Sequence, residues 1–390
     1  MTQRPRVAHF AIAPEFVDKI MLHDLRRLRE HEDVTVIATE GTALERVRRE
    51  GFKVLTISAH RKLSPFLDLR TIWQLLRLFR HHRFDLLHTY TPKAGLLGQI
   101  AGFMSGIPHR IHGCRGLLYT ETMPGWQRRV FSATDRITSR LADITLFLSE
   151  ADRRHAIDQG LCPPERAVLV GTGVDLAEFV PDRATREAGM ALRQGLGFES
   201  RHTVVLTVGR YVADKGYRET SVAAARLRER FPDIRYLWVA PVLDGEEGVL
   251  SSALAEENGI ADIVRILGYT EDMRPPLGAA NVLLHPSYRE GVPRVVVEAA
   301  VMGIPIVASD IPGCREVVHD GETGILFPPR DAEALERALE GVFSDLPGAA
   351  RRAERAVADV RSRFDQDALS RRVWSAHARL LGASADVASH

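Results

Sequence analysis

The sequence predicts an α/β fold of two domains, each built on a doubly wound parallel sheet. Between Arg6 and Ile57, apolar runs of strand length alternate with helical segments in a β-α-β-α-β order, which is typical of such sheets. A β-branched run that starts at Thr203 opens the same alternation a second time. The chain length, 390 residues, is enough for two cores of ordinary size.

Strands are predicted where short apolar runs are bounded by polar or glycine-containing segments, and helices where apolar residues recur at three- and four-residue spacing. The predicted strands are 6–13, 34–38, 52–57, 84–88, one that ends at 113, 144–148, 167–170, 203–208, 234–240, 263–267, 282–284, 304–308 and 324–327. The predicted helices with assigned bounds are 16–29, 44–50, 69–82, 127–140, 294–302, 331–343, 349–364 and 367–381.

The domain boundary is predicted from a polar, charge-rich stretch at about 180–200, which is typical of a linker. We therefore assign residues 1–183 to a first domain and 184–368 to a second. The last residues, 382–390, are expected to form a loose tail.

Composition excludes several classes of protein. Cys114, Cys162 and Cys314 are widely spaced and lack neighbouring ligands, so they support neither a disulfide framework nor a zinc site. The first 14 residues have too short an apolar core for a signal peptide, and no apolar run reaches the length of a membrane span. We therefore expect a cytoplasmic protein.

Charge is distributed unevenly along the chain. The net charge is only +1, but residues 46–140 contain 17 basic against 5 acidic residues, which favours an anionic partner. No nucleic-acid-binding motif is present, so we expect no nucleic acid partner. An anionic membrane face or a diphosphate-bearing acceptor fits better. The basic amphipathic helices at 69–82 and 127–140 either pack on the sheet with a basic rim or face such a membrane.

Two glutamates mark the stretch 285–329, where a strand, a loop and a helix follow one another. Glu290 precedes the helix and Glu298 lies within it, so full helical geometry would place them about 12 Å apart. A retaining glycosidase needs its carboxylates about 5 Å apart. We therefore interpret them not as an acid and a nucleophile but as two carboxylates that accept hydrogen bonds from hydroxyl groups on different parts of one long ligand. The loop between them also supplies Gly291, Val292 and Pro293 to the ligand site.

A second cluster follows the strand that ends at residue 208. Gly209 and Arg210 come directly after it, and Lys215 follows before the next helix. Glycines permit tight backbone turns, and an arginine and a lysine can hold a diphosphate. The loop therefore predicts a diphosphate site.

The segments EGVP, GIPIVASDIPGCREVV and GETGILF surround the spacing Glu290-x7-Glu298. This pattern resembles retaining glycosyltransferase family 4, and within it the branch that serves capsular polysaccharides and lipid-linked sugars. The resemblance implies the GT-B fold, in which two Rossmann-like doubly wound domains face each other across a cleft. The first domain would bind the acceptor and the second the nucleotide sugar, with a helix at 369–390 that crosses back to the first domain.

The same resemblance assigns roles to individual residues. Arg210 and Lys215 would bind the donor's diphosphate, so that neither a metal nor another cofactor is required. Glu290 would hold the sugar hydroxyls, Glu298 the ribose, and His112 would lie near the donor sugar. Candidates for the base site and for the acceptor site, respectively, are Gly268 with Tyr269, and Lys93 with Arg115.

The resulting hypothesis is transfer, with retention, of a hexose or N-acetylhexosamine from a nucleotide diphosphate sugar, with UDP expected over GDP. The acceptor would be a hydroxyl in polysaccharide or glycolipid synthesis, on a polyprenyl-diphosphate-linked or other anionic molecule. The enzyme would then lie peripherally at the inner face of the membrane. Three alternatives stay open: a nucleotide-sugar epimerase or phosphorylase, a transferase with a soluble acceptor, and a non-catalytic nucleotide-sugar sensor.

Overall fold

The computed structural model describes residues 4–60, 64–117, 125–242 and 248–383, which fold into two compact units. The first unit runs to Gly173 and resumes at Gln366, and the second comprises Val174–Asp365. The chain passes from one unit to the other twice, at 173/174 and at 365/366. The two segments lie side by side, because the backbone N–H of Val174 donates to the carbonyl of Phe364 at 2.9 Å. The structure thus divides the chain at 173/174 and 365/366, not at 183/184 and 368/369. The tail predicted to be loose lies, from residue 384 onward, outside the described residues.

A seven-stranded parallel sheet forms the centre of the first unit within the described residues, in the order β3-β2-β1-β4-β5-β6-β7. Its strands are β1 Arg6–Phe10, β2 Asp33–Thr39, β3 Lys53–Ile57, β4 Leu86–Tyr90, β5 His109–Cys114, β6 Ile144–Phe147 and β7 Ala167–Leu169. The order reverses between β1 and β4, which defines the switch point where doubly wound sheets bind ligands.

Helices cover both faces of this sheet. They are α1 Pro14–Phe16, which continues through a π-helical turn at Val17–Met21 into α2 Leu22–Leu28, then α3 Leu44–Arg49, α4 Pro65–His82, α5 Pro92–Ser105, α6 Gly125–Leu141 and α7 Glu150–Asp158. One apolar core joins α2 and α3 to the sheet, and another joins α4 and α5 to its opposite face. The strands are mostly buried because both faces are covered.

The second unit repeats the design with a six-stranded parallel sheet in the order β10-β9-β8-β11-β12-β13, as far as the described residues go. Its strands are β8 Thr203–Val208, β9 Ile234–Val239, β10 Val264–Leu267, β11 Val282–His285, β12 Ile306–Ser309 and β13 Ile325–Phe327. Its helices are α8 Arg183–Gly195, α9 Tyr217–Leu227, α10 Leu254–Glu257, α11 Arg274–Ala279, α12 Arg294–Val301, α13 Pro312–Arg315, α14 Ala332–Ser344 and α15 Leu346–Arg363. Its switch point lies between β8 and β11.

The predicted linker at 180–200 is wrong, because helix α8 occupies most of it. The Asp182 carboxylate caps this helix by accepting from the backbone N–H of Thr185 at 2.8 Å. Gly189 faces the backbone of Gly278 in α11 so closely that a Cβ would overlap it. The polar, charge-rich stretch is therefore the exposed face of a helix, and Gly189 permits its close packing on α11.

Helix α16, Gln366–Leu381, returns to the first unit and packs on α2. A buried polar cluster ties it to the sheet. Oε1 of Glu32 lies 2.7 Å from Nε2 of His9, and Oε2 lies 2.9 Å from Nδ1 of His377. Nε2 of His377 lies 3.0 Å from Nδ1 of His88. We call these four residues the Glu32 cluster.

Charge in the Glu32 cluster is decided by its hydrogen bonds. Burial alone would raise the pKa of Glu32, but His377 and His9 lower it to about 2. Burial lowers the pKa of His9 and, more strongly, that of His88. The carboxylate is therefore ionised at neutral pH, and both of its oxygens are satisfied inside the protein.

Within the described ranges, no helix combines the length and the apolar character needed to cross a bilayer.

Candidate active site

The switch point of the second unit brings two predicted clusters together. The loop after β8 begins with Gly209 and Arg210, and the loop after β11 contains Glu290. Because β8 and β11 are hydrogen-bonded neighbours, both loops leave the same carboxyl edge of the sheet side by side. The structure thus places the predicted diphosphate loop beside the predicted sugar loop.

A cation–carboxylate pair joins the two loops. Nζ of Lys215 lies 2.5 Å from Oε1 of Glu290, with the side chains only 12% and 23% exposed. Nε2 of His285, the last residue of β11, lies 3.5 Å from the same oxygen. Burial favours the protonated carboxyl, but His285 and Lys215 outweigh it and hold the pKa of Glu290 well below its usual range. Glu290 is therefore an anion throughout the physiological range of pH.

Glycines make the close approach of these loops sterically possible. Gly216, which follows Lys215, has a φ of +73°, and a Cβ there would overlap the carbonyl oxygen of Pro286. Gly313, in α13, packs so tightly on the carbonyl of Gly291 that any side chain would displace it. The backbone N–H of Tyr288 adds a hydrogen bond of 2.9 Å to the carbonyl of Asp214. The backbone around Glu290 is consequently held from two sides.

The loop after Glu290 leads into α12 through Gly291, Val292 and Pro293. Pro293 is the N-cap residue, so the first turn of α12 directs backbone N–H groups toward this edge of the sheet. Such groups suit an anion or a hydroxyl oxygen. Arg210, exposed at the end of β8, supplies a further cation at this edge.

Glu298 lies within α12 and is buried, in contrast to Glu290. Burial raises the pKa of Glu298 to about 7, while Arg294, whose Nε is 3.7 Å from Oε1, opposes the rise and Glu178 adds to it. Near neutral pH the group therefore exists in both protonation states. It can accept a hydrogen bond from a hydroxyl or donate one to it.

Gly268 and Tyr269 follow β10, which β9 separates from β8. They lie on the carboxyl edge of the same sheet, two strands from the Lys215–Glu290 pair. The structure therefore places these base-site candidates along the same edge but outside the switch point.

The first unit holds the three remaining candidates. His112, in β5, is buried, its Nδ1 lies 3.1 Å from Oγ1 of Thr89, and burial lowers its pKa to about 4. Helix α5 passes so close that a Cβ at Gly95 would overlap its ring. His112 is thus a neutral imidazole fixed by packing.

The two acceptor candidates have partners of their own. Nζ of Lys93 forms an ion pair of 2.7 Å with Asp68 of α4. The Arg115 guanidinium stacks over the rings of Phe16 and Tyr90, at 5.0 and 5.7 Å from their centroids. Both lie near the carboxyl edge of this sheet, because Lys93 follows β4 and Arg115 follows β5.

Two features escaped sequence reasoning. His285 directly follows the apolar run 282–284, and its place at a strand end was a usable signal. The contact of Gly313 with Gly291 joins residues 22 positions apart in sequence and carries no local signal. In the part of the chain that the structure describes, no group of three or more His, Cys, Asp or Glu residues is placed to hold a metal ion. Independence from metal stays a prediction.

Comparison with known proteins identifies the family. Residues 191–358 match the family described as glycosyl transferases group 1, and residues 18–173 match the glycosyl transferase 4-like domain. Together these segments span most of the chain. The protein belongs to this family of glycosyltransferases.

Relatives and a solved structure agree with this assignment. The chain is 24% identical, over 87% of its length and 88% of the relative's, to the UDP-Gal:alpha-D-GlcNAc-diphosphoundecaprenol alpha-1,3-galactosyltransferase of Escherichia coli. It is 23% identical, over 92% and 94%, to the N,N'-diacetylbacillosaminyl-diphospho-undecaprenol alpha-1,3-N-acetylgalactosaminyltransferase of Campylobacter jejuni. The crystal structure of Anabaena Alr3699/HepE with UDP and glucose superposes with a TM-score of 0.83 at 21% identity, covering 96% of this chain and 100% of that one. The fold is that of the GT-B glycosyltransferases, with two Rossmann-like domains.

Proposed function

We propose that this glycosyltransferase moves a hexose or N-acetylhexosamine from a UDP sugar to a hydroxyl of a polyprenyl-diphosphate-linked acceptor, with retention at the anomeric carbon. The observation that carries the proposal is the Lys215–Glu290 pair at the switch point between β8 and β11. A cation and an ionised carboxylate side by side complement the two halves of a nucleotide sugar, its diphosphate and its hydroxyl-rich ring.

Catalysis would come from stabilising charge on the leaving group. Arg210 and Lys215 would neutralise the departing diphosphate as negative charge develops on it, which removes the need for a metal. Glu290 would accept hydrogen bonds from the sugar hydroxyls, and Glu298 would bind the ribose. The resemblance assigns His112 to the donor sugar. No side chain stands out as a covalent nucleophile, which favours attack from the side of the leaving group.

The donor and acceptor classes rest on the named relatives and the solved structure. The Escherichia coli relative is named for a UDP sugar and an undecaprenol diphosphate acceptor, the Campylobacter jejuni relative for an acceptor of the same kind, and the Anabaena structure contains UDP. A polyprenyl diphosphate also suits the excess of basic residues at 46–140.

The test is a transfer assay with a panel of UDP sugars and a synthetic polyprenyl-diphosphate-linked N-acetylhexosamine, with EDTA present. We expect one UDP sugar to be consumed, and the anomeric proton coupling of the product to match that of the donor. Inversion, a requirement for metal, or donor consumption without any acceptor would contradict the corresponding part of the proposal.

A membrane-bound acceptor requires that the enzyme reach a bilayer, and the first unit carries a suitable surface. Helices α4 and α6 each follow a strand, so their N-terminal turns lie at the carboxyl edge, and both pack on α5 between them. The N-terminal half of α4 exposes Phe66 (87%), Leu69 and Trp73, and that of α6 exposes Trp126 (66%) and Val130. Exposed arginines at 70, 128 and 129 lie in the same halves of the two helices. Apolar side chains flanked by arginines fit an anionic membrane interface.

Vesicle sedimentation tests this surface without any substrate. We expect the protein to sediment with phosphatidylcholine vesicles that contain phosphatidylglycerol, and less so at high salt. The double variant Phe66→Ser/Trp126→Ser should lose most of this binding. Phe103→Ser is the matched control, because Phe103 is 60% exposed at the opposite end of α5. Equal loss in both variants, or no binding by the wild type, would contradict the membrane surface.

A further inference from the structure

His285 is a buried histidine without a hydrogen bond. It is 2% exposed, and neither ring nitrogen completes a hydrogen bond with any described residue. The residues before it, 282–284, are apolar and fully buried, so an apolar side chain at position 285 would suit the buried strand equally well. A buried polar group left unsatisfied is costly, and in a native protein it calls for an explanation.

The ring of His285 lies beside a possible hydrogen-bond acceptor, the Glu290 carboxylate. Nε2 of His285 lies 3.5 Å from Oε1 of Glu290, and the same oxygen already accepts from Nζ of Lys215 at 2.5 Å. The imidazole is therefore beside the carboxylate without completing a hydrogen bond to it. Lys215 occupies the hydrogen-bonding position at Oε1 of Glu290, and a small rotation of the glutamate side chain would let His285 bond to this oxygen instead.

Backbone contacts confine any movement to the side chains. Gly313 packs on the carbonyls of Glu290 and Gly291, and the Tyr288 N–H bonds to the Asp214 carbonyl. The carboxylate can turn between Lys215 and His285, while the loop that carries it stays in place.

Donor binding changes the balance between these two partners, because the diphosphate competes with Glu290 for the Lys215 ammonium. We propose that His285 is a positioning residue that holds the Glu290 carboxylate toward the donor's sugar hydroxyls once Lys215 engages the diphosphate. The inference rests on the proposed function, and it makes sugar recognition depend on a residue that touches neither the sugar nor the nucleotide.

The experiment compares calorimetric binding of UDP with binding of the best-bound UDP sugar. His285→Leu removes the N–H group that would donate a hydrogen bond to Glu290, and His285→Gln keeps an N–H group at nearly the place of Nε2. His202→Leu is the matched control, because His202 is also buried in the second unit but precedes β8 at the opposite edge of the sheet. Melting temperatures without ligand separate loss of folding from loss of recognition.

We expect His285→Leu to weaken the UDP sugar about tenfold, the effect of one hydrogen bond to a charged group, and to leave UDP affinity within about twofold. His285→Gln should restore most of the loss, and His202→Leu should change the two affinities equally or not at all. If His285→Leu weakens UDP and UDP sugar by the same factor, or weakens neither, or if His285→Gln behaves like His285→Leu, the positioning role is wrong. A wild type that binds neither ligand would overturn the proposed function itself.

Discussion

Each unit contains an ionised, largely buried glutamate next to histidine, yet the two sites are built differently. Glu32 in the first unit places each carboxylate oxygen against an imidazole, and its side chain is fully buried. In the second unit, Lys215 and His285 both lie beside Oε1 of Glu290, and no described residue donates to its Oε2. Both oxygens of the first carboxylate are therefore occupied by contacts that join α16 to the sheet, whereas Oε2 of the second is available to the ligand that we propose.

The contrast separates a carboxylate that joins two elements of the fold from the carboxylate of the proposed donor site on the same topology. Both sheets have the strand order that creates a switch point between their first and fourth strands. In the second unit, loop glycines and the Lys215–Glu290 pair lie at that point. In the first unit, Ile12, Ala13 and Pro14 follow β1, and Lys93, which follows β4, pairs with Asp68 of α4. Burial and pKa alone do not identify the site, because Glu32 has both.

The largest effect is expected from Glu32→Gln, which removes the carboxylate of the Glu32 cluster. Two imidazoles lose their anionic partner in a buried place, so we expect a loss of about 3–5 kcal/mol in the free energy of unfolding. Urea denaturation measures it. Glu30→Gln, an exposed neighbour, should cost less than about 0.5 kcal/mol. A Glu32→Gln protein of wild-type stability would remove the distinction between the two carboxylates.

Acid should weaken the same cluster. The folded pKa of Glu32 is about 2 against 4.5 ordinarily, and burial lowers the pKa of His9 below 6.5. Both groups bind protons more readily when unfolded, so their stabilisation is present at higher pH and is lost as the pH falls below 6.5 and then below 4.5. We expect denaturation midpoints to fall over this range, and to fall less steeply below 4.5 in Glu32→Gln. A flat profile would contradict the assignment.

Lys215→Ala should produce a different pattern, a loss of activity that is larger than its loss of stability explains. Removing one group that stabilises transition-state charge costs about 10²–10³ in kcat. Steady-state kinetics with the UDP sugar measures this. The free energy of unfolding should fall by less than in Glu32→Gln, because Glu290 keeps His285 beside it and its side chain is 23% exposed. Arg228→Ala, which loses a cation paired with Asp262 elsewhere in the unit, is the control. Full turnover in Lys215→Ala would remove the core of the mechanism.

Gly313→Ala sharpens the comparison by disturbing the backbone around Glu290 alone. The added Cβ overlaps the carbonyl of Gly291, so we expect a loss of about 1–3 kcal/mol in stability and weaker binding of the UDP sugar. Gly341→Ala is matched, because no atom lies within 4 Å of its Cβ position in α14, and it should be neutral or stabilising. Calorimetry and urea denaturation of both variants check this. Unchanged donor affinity in Gly313→Ala would mean that the loop is not held by this contact.

A purely pH-dependent effect concerns Glu298, whose pKa is raised to about 7 from 4.5. The folded protein binds this proton more tightly than the unfolded chain, so the group destabilises the fold progressively as the pH rises from 4.5 through 7. Glu298→Gln should therefore gain about 3 kcal/mol at pH 8 relative to its effect at pH 4.5, at about 1.4 kcal/mol for each unit between the two pKa values. Paired denaturation curves at the two pH values measure the difference. A gain independent of pH would contradict the raised pKa.

Much of the fold could be predicted because parallel strands buried on both faces leave unbroken apolar runs, as at Val205, Leu237 and Leu283. The failure at 180–200 has a physical cause. Helix α8 is polar on most of its surface and contains Gly189, whose role appears only when α11 packs against it.

The candidate site was predictable in part for a similar reason. Gly209, Arg210, Lys215 and Glu290 lie at strand ends, and parallel topology brings strand ends to one edge. The pairing of Lys215 with Glu290, the raised pKa of Glu298 and the orientation of His285 depend on contacts between distant segments, which no local pattern specifies.

The most direct test of the account is a calorimetric titration of wild type and Lys215→Ala with UDP, GDP, ADP and TDP in the presence of EDTA. We predict that the wild type binds UDP preferentially without a metal, and that Lys215→Ala loses at least about tenfold in UDP affinity, as expected for a lost charged hydrogen bond. UDP binding of equal strength in the two proteins, or no nucleotide binding by the wild type, would contradict the assignment of the Lys215–Glu290 pair as the donor site.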